Sequence, residues 1–229
     1  MTRILIVNAD DFGRSTGINR GVVCSHEQGI VTSASLMVRY PAAVGAAAYA
    51  RNHRVFSVGL HVDLGEWVHQ DGEWTCVYEL DRTSEQIERQ LNRFRDLLGE
   101  DPTHIDSHQH IHRTEPVNAA LVDVARRLGV PLRSFDRRVK YRGDFYGQTG
   151  TGEPILDGIS VRRLIRILHT LANGVTELGC HPGEATDLVS SYAAERAIEV
   201  KTLCDLRVRK VLSESDIQLR SFRDAFADS

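Results

Sequence analysis

Several things are scarce in this chain of 229 residues, and each scarcity narrows what the chain can be. Cysteine is sparse: Cys24, Cys76, Cys180 and Cys204 lie far apart and form no C-x-x-C pair, so no disulfide framework is expected and a reducing compartment is. Six prolines and no low-complexity tract give no segment the composition of a disordered chain. An excess of one charge is missing too. The formal net charge of -3 sets up no field for a polyanion, and no nucleic acid partner is expected. No apolar run approaches the ~20 residues that a bilayer span requires, and no charged-then-apolar leader opens the sequence. The expectation is a cytoplasmic protein without a membrane span.

What is present fits one catalytic domain over residues 1–229. Hydrophobic residues make up 41% and charged residues 26%, enough to bury a core without disulfide or metal staples. The basic run Arg162, Arg163, Arg166 shares helical spacing with Leu164, Ile167 and Leu171, which reads as a solvated helix face.

Short β-rich runs alternate with amphipathic helical patterns along the chain, the pattern of an α/β fold around a mostly parallel sheet. Seven strands are expected: Ile4 to Val7, Ile30 to Val38, Val55 to His61, one beginning near Thr103, Val130 to Arg133, Val175 to Cys180, and Ile217 to Leu219. Between them, Ser15 or Thr16 is placed to cap a helix that leaves through a left-handed Gly29. Thr83 and Gln86 have capping-box spacing ahead of a helix that stops at Gly99. Thr114 reads as the cap of the next helix, and further helices are expected over Ser160 to Asn173 and within residues 191 to 212. An irregular loop is expected after His61, and a long one without period from Arg137 to Gly158. Periodicity leaves a distorted (β/α) barrel and an open doubly wound sheet both open.

Residues that carry chemistry recur at the carboxyl ends of these strands, where such folds place their active sites. The first strand runs into Asn8-Ala9-Asp10-Asp11-Phe12-Gly13 and the third into Gly59-Leu60-His61. The segment His104-Ile105-Asp106-Ser107-His108-Gln109-His110-Ile111-His112 sets four histidines and an aspartate at alternate positions, on one face if the chain is extended. Imidazoles and a carboxylate are costly to bury together without a compensating ion, so a metal is expected there. A last histidine follows a strand in Gly179-Cys180-His181-Pro182-Gly183. Of two adjacent aspartates, one can ligate a metal while the other takes a proton from water. His181 is suited to protonate a leaving amine or to stabilise an oxyanion.

Together these segments resemble the YdjC/ChbG-like carbohydrate deacetylases, which include chito-oligosaccharide deacetylases and hopanoid-biosynthesis-associated members. The similarity also runs through Gly29-Ile30-Val31-Thr32-Ser33-Ala34-Ser35 and from Tyr192 through Arg196 to Glu199. The resemblance implies a distorted (β/α) barrel of about seven mostly parallel strands, a homodimer, and a small acetylated sugar as substrate. It implies Asp11, His61 and His108 as ligands of one divalent metal ion per chain, Asp10 as the base and His181 as acid or substrate contact. Magnesium is the family's usual ion, while the Asp-His-His set also suits zinc or another transition metal. Asp106, His104, His110, His112, Trp67 and Arg196 are expected around these as supports of the ligands or contacts of the substrate. The sequence departs from the family in the loop after His61, which is short and carries Glu66, Trp67, Trp74 and Tyr78. Hydrolysis of an acetamide on an amino sugar or chito-oligosaccharide is the leading expectation. A glycolipid or hopanoid head group as substrate, a metal-dependent phosphoesterase or amidohydrolase, and a non-catalytic metal-held scaffold are the alternatives.

Overall fold

The computed structural model describes residues 2–65, 67–70, 73–76, 81–184, 187 and 190–226; strands 67–70 and 73–76 are described by their backbone pairing. The main strands are β1 (Arg3–Phe12), β2 (Ser33–Leu36), β3 (Ser57–Val62), β6 (Ile105–Ser107), β7 (Val139–Arg142), β8 (Gly174–Cys180) and β9 (Ile217–Leu219). Between β3 and β6 lies an antiparallel hairpin of β4 (Trp67–Gln70) and β5 (Glu73–Cys76), where the sequence suggests only a loop. The sheet order is β6-β3-β2-β1-β8-β7, and every pairing in it is parallel. β9 pairs with Arg3 to Leu5 of β1, on the edge that β2 takes up only from Asn8 onward.

Chain length forces this sheet to curl. Leu132 bridges to Ile105 on the outer side of β6, and seven residues later β7 begins at the opposite edge. Crossing a flat sheet between those two positions takes six inter-strand steps, about 29 Å at ~4.8 Å each. Seven extended residues reach only about 24 Å. The two edges are therefore drawn together, and the structure is a distorted, incompletely closed (β/α) barrel. Around 132 the expected strand Val130 to Arg133 is reduced to that single bridge. Pro131 accepts from Ile105 N through its carbonyl but has no N–H to give to a further ladder.

The helices are α1 (Thr16–Glu27), α2 (Ala43–Asn52), α3 (Thr83–Leu98), α4 (Val117–Leu128), α5 (Val161–His169), α6 (Ala193–Leu203) and α7 (Leu206–Ser213). Ser15 and Ser160 cap α1 and α5, their hydroxyls accepting from Ile18 N and Arg163 N. Three sequence expectations need correction. Gly29 is not left-handed; a Cβ there would lie 2.6 Å from Ser25 O and 2.7 Å from Leu203 O, so the glycine serves close approach. Thr83 and Thr114 are not the caps: α3 starts behind Arg82, one residue earlier than a Thr83 cap would set it, and α4 starts behind Pro116, two residues later than a Thr114 cap would set it. The segment 137–158 is not a bare loop: it contains β7 and a short 3-10 turn at Leu156–Ile159.

Alternation along β1 separates two interiors. Leu5, Val7 and Ala9 join the large apolar core between sheet and helices, while Ile6 packs with Val139 and Phe222 inside the curl. Above Ile6 the same inward positions become Asn8 and Asp10, both buried. Barrel interiors are ordinarily filled by branched apolar side chains; here Ser33, Ser35, Asp106, Arg133 and Glu177 are buried as well. A polar interior of this kind has to be held together by hydrogen bonds.

Candidate active site

A cavity of about 830 Å³ opens at the carboxyl ends of the strands and is lined by Asp10, Asp11, His61, His108 and His181 among others. Two adjacent residues of a strand point to opposite faces, yet Asp10 and Asp11 both reach this cavity. The backbone explains it: Asp11 is left-handed, with φ 65°, and the β1–β2 register shifts between Ala9 and Phe12. Aspartate is among the few residues that tolerate this conformation. The local kink turns a strand-and-face pattern into a pair of carboxylates on one site.

Asp10 is clamped by a residue that sequence inspection passed over. Arg133 donates from Nη1 to Asp10 Oδ2 and from Nη2 to Asp10 Oδ1, both at 2.7 Å, and its Nε donates to Glu177 Oε1 at 2.8 Å. Arg133 Nη2 also lies 2.5 Å from Asp106 Oδ2. Burial opposes a charge on Asp10, but the guanidinium outweighs it and holds the carboxyl below its ordinary range. Glu177, the carboxylate for which the single guanidinium does least, is pushed up to about 7 by burial. The rule that singled out His61 and His181, a polar residue at a strand's carboxyl end, also applies to Arg133 at the end of Val130 to Arg133.

Asp11, His61 and His108 come together. His61 Nε2 and His108 Nδ1 lie 3.4 and 3.2 Å from Asp11 Oδ1. That oxygen is buried and accepts no hydrogen bond, while Oδ2 is paired with Arg196. One atom from each of the three residues lies within 4.8 Å of the others, a donor set that fits a cation. His61 Nδ1 bonds to Asp106 Oδ1 at 2.7 Å, which fixes the ring and aims Nε2 at Asp11, as second carboxylates do behind metal-bound imidazoles. Burial works against a proton on His61, but Asp106 prevails and raises its pKa to about 10; a cation would take that proton's place. A second group, Asp10, His61 and Asp106, is equally close, but Arg133 already supplies its positive charge.

Opposite Asp10 stands His181, its Nε2 3.7 Å from Asp10 Oδ2. Burial lowers its pKa to about 4 despite Asp10 and Asp11, so the ring is neutral at pH 7. Its main chain is fixed by α6: Arg196 Nη1 donates to His181 O at 3.3 Å, and His181 N donates to Glu199 Oε2 at 2.5 Å. Tyr192 donates to the other oxygen of Glu199 at 2.6 Å, and burial pushes Glu199 up to about 7.

The remaining histidines part company. The expected extended run from His104 to His112 ends at Ser107, because Gln109 and His110 are left-handed within a 3-10 turn over His108–Arg113, so alternation no longer sets direction. His104 lies below the cavity, stacked on Phe222 at 3.8 Å and 3.1 Å from Ser35 Oγ, which donates to Asp106. His110 lines the cavity. His112 is fully buried against Ser107 Oγ and does not line it. The side chains of Glu66, Trp67, Trp74 and Tyr78 lie outside the described residues. A smaller hollow of about 350 Å³ beside Arg39, Arg89 and Arg93 has no carboxylate or histidine among its lining residues.

With this geometry in hand, similarity to known proteins is informative. Residues 4–214 match the family model of YdjC-like proteins. A chitooligosaccharide deacetylase of Serratia marcescens is 33% identical over 255 residues, covering 98% of this chain and 100% of that protein. A carbohydrate deacetylase of Geobacillus stearothermophilus is 33% identical over 253 residues, with 99% of each chain covered. Among solved structures, an Enterococcus faecalis protein named provisionally for cellobiose-phosphate cleavage superposes with a TM-score of 0.78 at 23% identity, over 97% of this chain and 98% of that one. A family 4 carbohydrate esterase from Streptomyces lividans, in complex with acetate, superposes with a TM-score of 0.56 at 14% identity, over 96% and 91%. At these identities the structural matches speak for the fold.

Proposed function

Since this chain belongs to the YdjC-like family, we propose that it is a metal-dependent carbohydrate deacetylase, hydrolysing the acetamide of an amino sugar to acetate and a free amine. The observation that carries this reading is the pairing of two adjacent carboxylates with different partners in one cavity. Asp10 is gripped by a guanidinium, and Asp11 turns an unbonded oxygen toward two imidazole nitrogens. The choice of acetamide over other bonds leans on the deacetylases among its relatives.

Asp11, His61 and His108 are the residues that would hold a divalent cation, and the cation would supply Lewis acidity toward the acetamide carbonyl and the attacking water. One oxygen and two nitrogens form a softer set than the all-oxygen shell that magnesium favours, so zinc or a similar ion suits the site better. Asp10, ionised at neutral pH and oriented by Arg133, accepts a proton from water. His181, neutral and facing Asp10, donates a hydrogen bond to the oxygen that gathers charge, and the proton that Asp10 has taken from water passes to the departing nitrogen, leaving Asp10 ionised again. Arg196 holds Asp11 from behind and cups the His181 carbonyl, tying the two sides of the site to α6.

The test is acetate release from N,N'-diacetylchitobiose before and after exhaustive chelation, with readdition of single metals. Chelation is expected to abolish turnover and one ion to restore it, and Asp10→Asn to lower kcat roughly 10²–10⁴-fold. Turnover that survives both treatments would sink the mechanism.

A further inference from the structure

The alternation that separates the two interiors also fixes which residues of β7 and β8 face inward. Val139 and Val175 pack with Ile6 inside the curl, while Leu178 and Cys180 join the core outside it. Tyr141 on β7 therefore points inward, as do Glu177, its partner in register, and Gly179 on β8. One step above Glu177, the inward column of β8 has no side chain.

Tyr141 takes that space. A Cβ at Gly179 would fall 2.7 Å from the Tyr141 hydroxyl oxygen and 3.1 Å from its Cε2, and one at Gly143 would fall 2.9 Å from Cε1 and 3.0 Å from the hydroxyl oxygen. Neither glycine has a positive φ, so what both supply is room for the ring. The ring also lies over Arg133, whose Cζ is 4.8 Å from its centroid, and Arg133 grips Asp10. On another side His110 meets it edge to face, with centroids 5.5 Å apart. Tyr141 is thereby held beside the proposed base, and it lines the cavity that Asp10, Asp11 and His181 share.

The hydroxyl is weakly bound where its neighbours are tightly bound. Arg133 is committed to three carboxylates, and Arg196 to Asp11 and the His181 carbonyl. Among the described residues the Tyr141 hydroxyl has one polar neighbour, His110 Nε2 at 3.5 Å, the outer limit of a hydrogen bond. Burial pushes its pKa up, so it keeps its proton and remains a donor. Packing over a guanidinium needs only the ring; the hydroxyl is left for something that enters the cavity.

We propose that Tyr141 is a further catalytic residue, whose hydroxyl donates a hydrogen bond to an uncharged oxygen of the acetamido sugar as the acetamide is brought against Asp10. The assignment rests on the deacetylase reading given above.

Acetate release from N,N'-diacetylchitobiose by the metal-loaded chain tests it, with Tm recorded for wild type, Tyr141→Phe, Gly179→Ala and the double variant. Tyr141→Phe keeps the ring over Arg133 and removes only the hydroxyl. It should keep the wild-type Tm and lose about five- to tenfold in kcat/KM, the size of one hydrogen bond to an uncharged partner. Gly179→Ala, whose methyl group displaces the hydroxyl, should lose a similar factor. The double variant should lose little more than either, since both changes act on one contact. Tyr141→Phe decides alone if Gly179→Ala does not fold. A folded Tyr141→Phe with wild-type kcat/KM would overturn the assignment, as would losses that multiply in the double variant. A loss in Tyr141→Phe that comes with a lowered Tm would make the hydroxyl a tie within the fold and overturn it too. No acetate from the wild type would instead overturn the deacetylase reading and take the assignment with it.

Discussion

The inside of the curled sheet is polar at two depths, and the depths differ in how fully their atoms are bonded. Lower down, Asn8, Ser35, Asp106, Arg133 and Glu177 close on one another. Asn8 Nδ2 donates to Ser35 Oγ, Ser35 Oγ donates to Asp106, and Arg133 spans Asp10, Asp106 and Glu177. Asn8 Oδ1 is an exception here, as is His112 Nε2 outside the cavity. At the mouth, Asp11 Oδ1 and His181 Nδ1 are buried with no hydrogen-bond partner. The same residue types therefore build a strut at one level and a site at the next. Saturation, more than residue identity, separates them, because a buried polar atom left open is costly unless something else comes to meet it.

The largest effect is expected where the two levels meet. Arg133→Met removes the one guanidinium that, among the described residues, pairs with Asp10, Asp106 and Glu177, and should cost about 3–5 kcal/mol in urea unfolding, with activity lost as Asp10 is released. A loss under about 1 kcal/mol with turnover intact would show that the lower level is not one electrostatic unit. Next comes a pH effect on stability. Glu199 is raised from 4.5 to about 7, so the folded chain keeps a proton that the unfolded chain has given up. That contribution is whole below pH 4.5, falls as pH rises, and is gone above about 7, a change of about 3 kcal/mol. Glu177 behaves alike, while His181, lowered to about 4, changes in the opposite sense, so the effect is read as a difference: the stability of Glu199→Gln relative to wild type should rise by about 3 kcal/mol between pH 5 and 8. Unchanged slopes would refute it. The smallest effect is reserved for His112, buried yet outside the cavity: His112→Gln should cost about 1 kcal/mol in thermal unfolding through its bond to Ser107 and leave kcat near wild type. A large fall in kcat would move His112 from strut to site.

Much of this arrangement was legible in the residues. Strand ends are readable from alternation, and they bring Asp10, Asp11, His61, His108 and His181 to one cavity as the barrel pattern implies. What could not be read depends on geometry beyond the local period. Arg133 lies 123 positions from Asp10, and only the curl of the sheet makes them neighbours. The left-handed Gln109 and His110 break an alternation that places His112 with His108, although His110 still lines the cavity. β7 hides in Val139-Lys140-Tyr141-Arg142, whose alternation spans only four residues inside a segment rich in Gly, Asp and Arg.

β1 is made before every other described strand, and one of its neighbours, β9, after all of them. Its partners β8 and β9 lie at Gly174–Cys180 and Ile217–Leu219. At the usual pace of translation, Leu5, Val7 and Ala9 wait on the order of ten seconds or more with one strand edge bare. The nascent chain thus carries an apolar, template-ready edge until β8 has been made, a hazard for self-association and an opening for holding chaperones. Shortening that wait by circular permutation, with new termini between α4 and β7 so that β7 and β8 emerge ahead of β1, should raise the soluble yield without changing any contact of the finished barrel.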